Sequence, residues 1–272
     1  VARGAVGICC QKTDEAAAFV DAGITDILVT NEVIAPAKLG RLAALARRAR
    51  IGVLCDDARA VADLSRAAQA AEVDLDVYVE VDVGAHRCGV LPGAPAAALA
   101  RAIADAPGLR FAGLHCYQGA AQHLRTPDER RGALDAAAQA AIATRDACAA
   151  QQLAVDRITG AGTGTFEYEM ASGVWNELQP GSYPFMDADY ARNVTAPGGL
   201  RFAQSLHVLT TVMSTPSAER AICDAGLKSM SFDSGLPLVA QRAGLAYVKA
   251  SDEHGVLQAD LAHPPAGWGE RR

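Results

Sequence analysis

Seven short apolar, β-branched runs constrain this chain more than any other feature. They are "AVGICC" (5–10), "DILVT" (26–30), "IGVLC" (51–55), "DVYVEVDV" (76–83), "FAGLHCY" (111–117), "DRITGAG" (156–162) and "ELQPGS" (177–182). Ala-rich amphipathic stretches near 14–22, 36–48, 58–71, 95–105 and 127–150 read as helices between them. The last opens on Thr126 and Pro127, with Glu129 in capping-box register. Near-continuous apolar strands alternating with helices predict a parallel sheet covered by helices. A repeat of roughly 25–40 residues suits a (β/α)8 TIM-like barrel, an α/β fold. Such a barrel needs eight strands, and the chain starts almost on a strand with Val1 in place of Met. The expectation is therefore that the first strand lies upstream; a miscount or an open sheet is the alternative. The barrel is placed at residues 1–190.

After residue 190 the texture changes. "LHVLTTVMS" (206–214), "RAICDAGL" (220–227) and "LAYVKASDEHGVL" (245–257) are strand-like, with Gly/Pro/Ser turns and no long helix between them. Residues 191–272 are expected to form a β-rich C-terminal domain, incomplete at the loop-like "HPPAGWGERR".

Composition narrows the function classes. Aromatics make up only 5% of the chain, so the core must be built from Ala, Val, Leu and Ile. A net charge of −6 with interspersed signs argues against nucleic acid as a partner. No apolar run approaches the roughly 20 residues of a membrane span, and no signal-peptide pattern opens the chain. The seven cysteines are scattered without metal-ligand spacing, which reads as reduced thiols in a cytoplasm.

"GAGTGTFEY" (160–168) raises the sharpest chemical question, because alternating glycines exclude side chains from whatever lies close by. The spacing fails the dinucleotide fingerprint and the P-loop. It does fall at the end of a late barrel strand, where backbone N–H groups can surround a phosphate. Thr163 and Thr165 offer hydroxyl donors, and Gly181 and Ser182 in "QPGSY" form a second small-residue cluster at the next strand end. From spacing alone the stretch is equally a phosphate cradle or a pair of tight turns. Other polar residues fall at strand ends: Gln11 and Lys12, Asn31 and Glu32, Asp56 and Asp57, Arg87, Tyr117 and Gln118, with His123 a few residues on. Each alone reads as a loop residue or a cap; the set marks the rim where barrel enzymes keep their chemistry.

The motifs "GICCQK", "VTNEV", "VEVDVGAHRCGV", "YQGAAQH", "ITGAGTGT", "NELQPGSYPFMDADY", "DAGLKS" and "SDEHGV" together resemble the D-threonine aldolase and 3-hydroxy-D-aspartate aldolase family. These are pyridoxal 5′-phosphate (PLP) enzymes of alanine-racemase-like fold, related to eukaryotic D-serine dehydratase. The resemblance runs from about Gly4 to Gly255 and implies a barrel followed by a β-domain. It implies that the glycines of 160–164 admit the PLP phosphate, by position implies cofactor contacts from Gln11, Thr163, Gly181 and Ser182, and places Arg87 near the pyridine nitrogen. A salt-bridged loop arginine is the other reading of Arg87. The resemblance further implies a homodimer.

Two departures stand out. The family's Schiff-base lysine lies in a motif upstream of "GICCQK", and none of Lys12, Lys38, Lys228 and Lys249 sits in such a motif. The family also binds a divalent metal, Mg or Mn, through a motif expected beyond Arg272. His263 in "LAHPPAG" has the wrong neighbours for it, so no metal ligand is assigned here. Both gaps are read as truncation, and the isolated chain is expected to be inactive.

The reaction implied is retro-aldol cleavage of a D-3-hydroxy amino acid: 3-hydroxy-D-aspartate to glycine and glyoxylate, or D-threonine to glycine and acetaldehyde. His123 is the candidate base for the β-hydroxyl proton, since a neutral imidazole suits that step near pH 7; a surface-loop histidine is the alternative. Asp252 and His254 are expected to support the site from the β-domain. The competing functions are a D-3-hydroxy amino acid dehydratase on the same scaffold, a non-catalytic PLP-binding module, and a phosphate-binding barrel without PLP.

Overall fold

The structure is a computed structural model that describes residues 3–260 and 262. His263 and the rest of "HPPAGWGERR" lie outside the described residues. The chain divides into two compact units: residues up to Gly181 together with Thr195–Gly199, and Ser182–Val194 together with the chain from Leu200 onward.

In the first unit strands and helices alternate: β1 (Ile8–Cys10), α1 (Thr13–Asp21), β2 (Asp26–Glu32), α2 (Pro36–Leu45), β3 (Arg50–Cys55), α3 (Ala58–Ala71), β4 (Leu75–Glu80), α4 (Ala94–Asp105), β5 (Leu109–His115), α5 (Pro127–Ala150), β6 (Ile158–Gly160), α6 (Phe166–Ser172) and β7 (Glu177–Leu178). A short 3₁₀ turn at Gly119–His123 lies between β5 and α5. The seven strands form one sheet in sequence order, β1 and β7 at its edges, and every pairing is parallel. Register places Val53 beside Val77 and Val79 beside Leu114.

The reason is burial on both faces: Leu28, Leu54 and Tyr78 are buried together on one, and the other packs against the helices. Ile27, Val29, Ile51, Val53, Leu75, Val77, Val79 and Leu114 are all essentially inaccessible and join the inner faces of the helices in one core. Ala16, Ala43, Ala68, Ala96, Ala97, Ala100, Ala137 and Ala141 are buried there too. Small residues let the helices lie close to the sheet in a chain so poor in aromatics. At the N-terminal end of the sheet, buried Asp76 accepts from Arg50 Nε at 2.5 Å and Arg110 Nε at 2.7 Å, so one carboxylate ties β3, β4 and β5. Helix α5 starts where its capping box predicts. Thr126 Oγ1 accepts from the Glu129 N–H at 3.3 Å, and Glu129 Oε2 accepts from the Thr126 N–H at 2.9 Å.

The second unit holds an antiparallel sheet of β8 (Val212–Ser217), β9 (Arg220–Cys223), β10 (Leu245–Ala250) and β11 (Gly255–Ala259), in the order β10-β11-β9-β8. Its core is small: Ala221, Cys223, Ala225, Tyr247 and Leu257. The run expected as one strand at 245–257 is a hairpin, because Ser251–His254 turn the chain: the Ser251 N–H donates to the His254 carbonyl at 2.8 Å. The strand expected at 177–182 keeps only Glu177 and Leu178, since Pro180 has no N–H to continue a ladder. Helix α6 was not foreseen. No helix among the described residues is long and apolar enough to cross a membrane, and all seven cysteines are free thiols.

Candidate active site

In an all-parallel sheet every strand's C-terminal end lies on the same side, so the polar residues that follow β1 to β7 share one rim. Gln11 follows β1; its Nε2 donates to Thr30 Oγ1 on β2 at 2.7 Å, and its carbonyl accepts from Asn31 Nδ2 at 3.1 Å. Arg87 is exposed in the loop after β4, with its guanidinium 5.7 Å from the centre of the Tyr117 ring after β5. Asp82 folds that loop by accepting from the Gly84 and His86 N–H groups at 2.9 and 3.0 Å. Burial opposes its ionisation, but these bonds and the His86 ring hold the carboxyl below its ordinary range.

Beneath the rim a buried polar row crosses the sheet. His115 on β5 pairs through Nδ1 with Glu80 Oε2 on β4, and its Nε2 lies 3.2 Å from Gln179 Oε1 after β7. Gln179 Nε2 in turn donates to Thr159 Oγ1 on β6 at 2.6 Å. The Tyr117 and His115 rings lie 6.2 Å apart, which connects this row to the Arg87 contact. Glu32, Asp56 and Cys88, from the ends of β2, β3 and β4, bring one ligand atom each within 4.8 Å of the others. These three could hold a cation. They also satisfy one another in part: Cys88 hydrogen-bonds Glu32, whose carboxyl is pushed up by burial and by Glu80 and Asp56.

The glycine stretch follows β6, and its neighbours are protein atoms. A Cβ on Gly160 would lie 2.5 Å from the Cys116 carbonyl oxygen. On Gly162 it would lie 2.3 Å from Gln122 Oε1, and on Gly164 2.4 Å from the Gln122 carbonyl oxygen. The alternation therefore admits the Gly119–His123 turn against the loop. Thr165, expected as a phosphate donor, is directed inward instead: its Oγ1 donates to buried Glu169 Oε1 at 2.8 Å. Thr163 is buried at the rim. Gly181 differs, being exposed with nothing within 4 Å of an added Cβ. Ser182 is the first residue of the second unit, where its carbonyl accepts from the Phe185 and Met186 N–H groups at 3.0 and 2.7 Å. His123 ends the 3₁₀ turn and is exposed.

Thus Gln11, Arg87, Thr163, Gly181 and His123 all stand on loops at the C-terminal side of one sheet, and Ser182 belongs to the other unit. The residues missed from sequence are Glu80, Gln122, Glu169 and Gln179. Gln122 had a signal in the alternating glycines, which imply a bulky neighbour. Glu80 and Glu169 had none, because a charged residue in a sequence gives no hint of full burial.

Residues 1–189 match the family described as Alanine racemase, N-terminal domain, and residues 205–271 match the Putative serine dehydratase domain. A D-threonine aldolase of Arthrobacter sp is 48% identical over 96% of this chain and 68% of its own length. A 3-hydroxy-D-aspartate aldolase of Paracoccus denitrificans (strain Pd 1222) is 47% identical over 94% of this chain and 67% of its own length. The crystal structure of D-threonine aldolase from Filomicrobium marinum superposes with a TM-score of 0.92 at 51% identity, covering 96% of this chain and 70% of that one.

Proposed function

The chain belongs to the D-threonine aldolase and 3-hydroxy-D-aspartate aldolase family built on the alanine-racemase N-terminal domain, and on that premise we propose that it takes part in PLP-dependent retro-aldol cleavage of a D-3-hydroxy amino acid. The observation that carries the proposal is close identity to two such aldolases along nearly the whole chain, on a sheet whose rim collects the polar groups.

The donor set suits PLP. Gly181 leaves open space around its backbone, Thr163 brings a hydroxyl to the loop after β6, and Gln11 is held in place by Thr30. These residues, with Ser182, would hold the cofactor through its phosphate and ring. Arg87 is the one cation assigned to it; beside the pyridine nitrogen it would disfavour protonation there. When bound there, PLP would supply an electron sink for carbanion character at Cα. His123 takes the proton from the β-hydroxyl as the aldehyde departs. A proton returned to Cα completes glycine. The same reading includes a divalent cation, Mg or Mn, and a homodimer, both carried by the family resemblance, and a cytoplasmic setting, carried by the scattered cysteines. No residue of this chain is assigned to the cation.

Of the two substrates, 3-hydroxy-D-aspartate is preferred, giving glycine and glyoxylate; D-threonine would give glycine and acetaldehyde. A second reading, dehydration on the same scaffold, is favoured by the match of residues 205–271 to a serine dehydratase domain. The test is product identification from 3-hydroxy-D-aspartate with PLP and Mn²⁺ added, using the protein at its natural length. Glycine with glyoxylate supports the aldolase, and chelation of the metal is then expected to lower turnover. Ammonia with oxaloacetate would replace it with the dehydratase.

A further inference from the structure

One buried carboxamide touches both loops to which the proposed function assigns work. Gln122 is 1% exposed, and it immediately precedes His123 in the 3₁₀ turn. Its Oε1 accepts from the Gly164 N–H at 3.0 Å. Its Nε2 donates to Thr165 Oγ1 at 2.8 Å and to the Gln118 carbonyl at 3.2 Å. Thr165 Oγ1 donates onward to Glu169 Oε1 at 2.8 Å.

The order of donors is forced. The Gly164 N–H only donates and the Gln118 carbonyl only accepts, so the amide must present Oε1 to the first and Nε2 to the second. Nε2 then also donates to Thr165 Oγ1, whose own proton goes to Glu169 Oε1. The missing Cβ atoms of Gly162 and Gly164 let the carboxamide and the Gln122 carbonyl approach this closely.

We propose that Gln122 is a positioning residue that locks the turn bearing His123 to the glycine loop after β6, so that the base and the phosphate-side loop are held by one side chain. This rests on the functional reading above for the roles of the two loops; the mechanical coupling itself does not need it.

The test is Gln122→Met, which keeps the length and bulk of the side chain and removes every hydrogen bond. In the protein at its natural length, amide hydrogen exchange is measured without cofactor, followed by PLP affinity and the kcat and KM of the loaded enzyme. If Gln122 only filled space, Met would leave all of these unchanged. The expected result is that Gly164, Thr165 and Phe166 on one side and Ala121 and Leu124 on the other exchange about tenfold faster together, the factor carried by one lost buried hydrogen bond. PLP affinity is expected to fall by a similar factor, and kcat to drop while KM for the amino acid holds. Thr165→Val, which cuts the chain one link further on, is expected to give the same pattern more weakly and serves if the Met variant does not fold. Faster exchange on one side only, or unchanged exchange on both, would overturn the proposal. Wild-type protein that binds no PLP would sink the functional reading, and the exchange experiment would still decide the coupling.

Discussion

Two small-residue clusters at neighbouring strand ends look alike in sequence and differ in structure. After β6, a side chain at Gly160, Gly162 or Gly164 would collide with Cys116 or Gln122 at 2.3–2.5 Å. After β7, an added Cβ at Gly181 meets nothing within 4 Å. The first cluster is small so that protein can pack against protein, and the second leaves space unfilled. A glycine-rich rim loop is thus no direct sign of a ligand. In this chain the first cluster holds the wall in place, and the backbone next door at Gly181 is open, which is why the proposed phosphate contact is assigned there.

The comparison can be tested by substitutions of decreasing effect. The largest is expected at the residue the packed wall supports: His123→Ala should lower kcat by about 10²–10⁴-fold, the range for a general base, with PLP affinity kept. A drop in PLP affinity instead would make His123 part of the cofactor site.

Next is the carboxyl under the wall. Burial pushes Glu169 up to about 7 from an ordinary 4.5. Its raised value favours the neutral form in the fold, so stability is highest below pH 4.5 and is lost as pH rises through 7. The loss approaches about 3 kcal/mol once both states are ionised. Glu169→Gln should therefore raise the melting temperature near pH 8 and close the gap near pH 4. An equal effect at both pH values would show that the carboxyl does not titrate as stated.

Gly164→Ala should then destabilise by about 1–3 kcal/mol, as expected for overpacking against backbone. Gly181→Ala should stay within about 0.5 kcal/mol in stability, as at an unconstrained surface site, and weaken PLP binding, because the methyl enters the space left for the phosphate. Equal effects at the two positions would erase the distinction. Thr126→Ala, away from both loops, should cost about 1 kcal/mol from the lost cap of α5, read as a lower melting temperature with kcat unchanged.

Much of the first unit was legible. Helix α3 (Ala58–Ala71) has the bounds its amphipathic pattern predicts, and helix α5 (Pro127–Ala150) those its pattern and capping box predict, because both signals are local. β3 and β4 were legible because burial on both faces writes an apolar run. Short α6 was not, since Phe166–Ser172 carries no periodicity long enough to read. The hairpin of β10 and β11 was hidden because "SDEHG" turns without proline. At the rim, residue types and strand ends were readable. The direction of a side chain was not: Thr163 and Thr165 look equivalent in sequence, and Thr165 points at Glu169. Fold topology alone brings Gln122 beneath Gly162 and Gly164, some 40 positions away along the chain.

The most direct measurement is a crystal structure of the protein at its natural length with PLP bound. The account predicts phosphate oxygens that accept hydrogen bonds from the Thr163 hydroxyl and the Gly181 N–H, with Gln122 still bonded to the Gly164 N–H. A phosphate seated between Gly162 and Gly164, with Gln122 displaced, would contradict it.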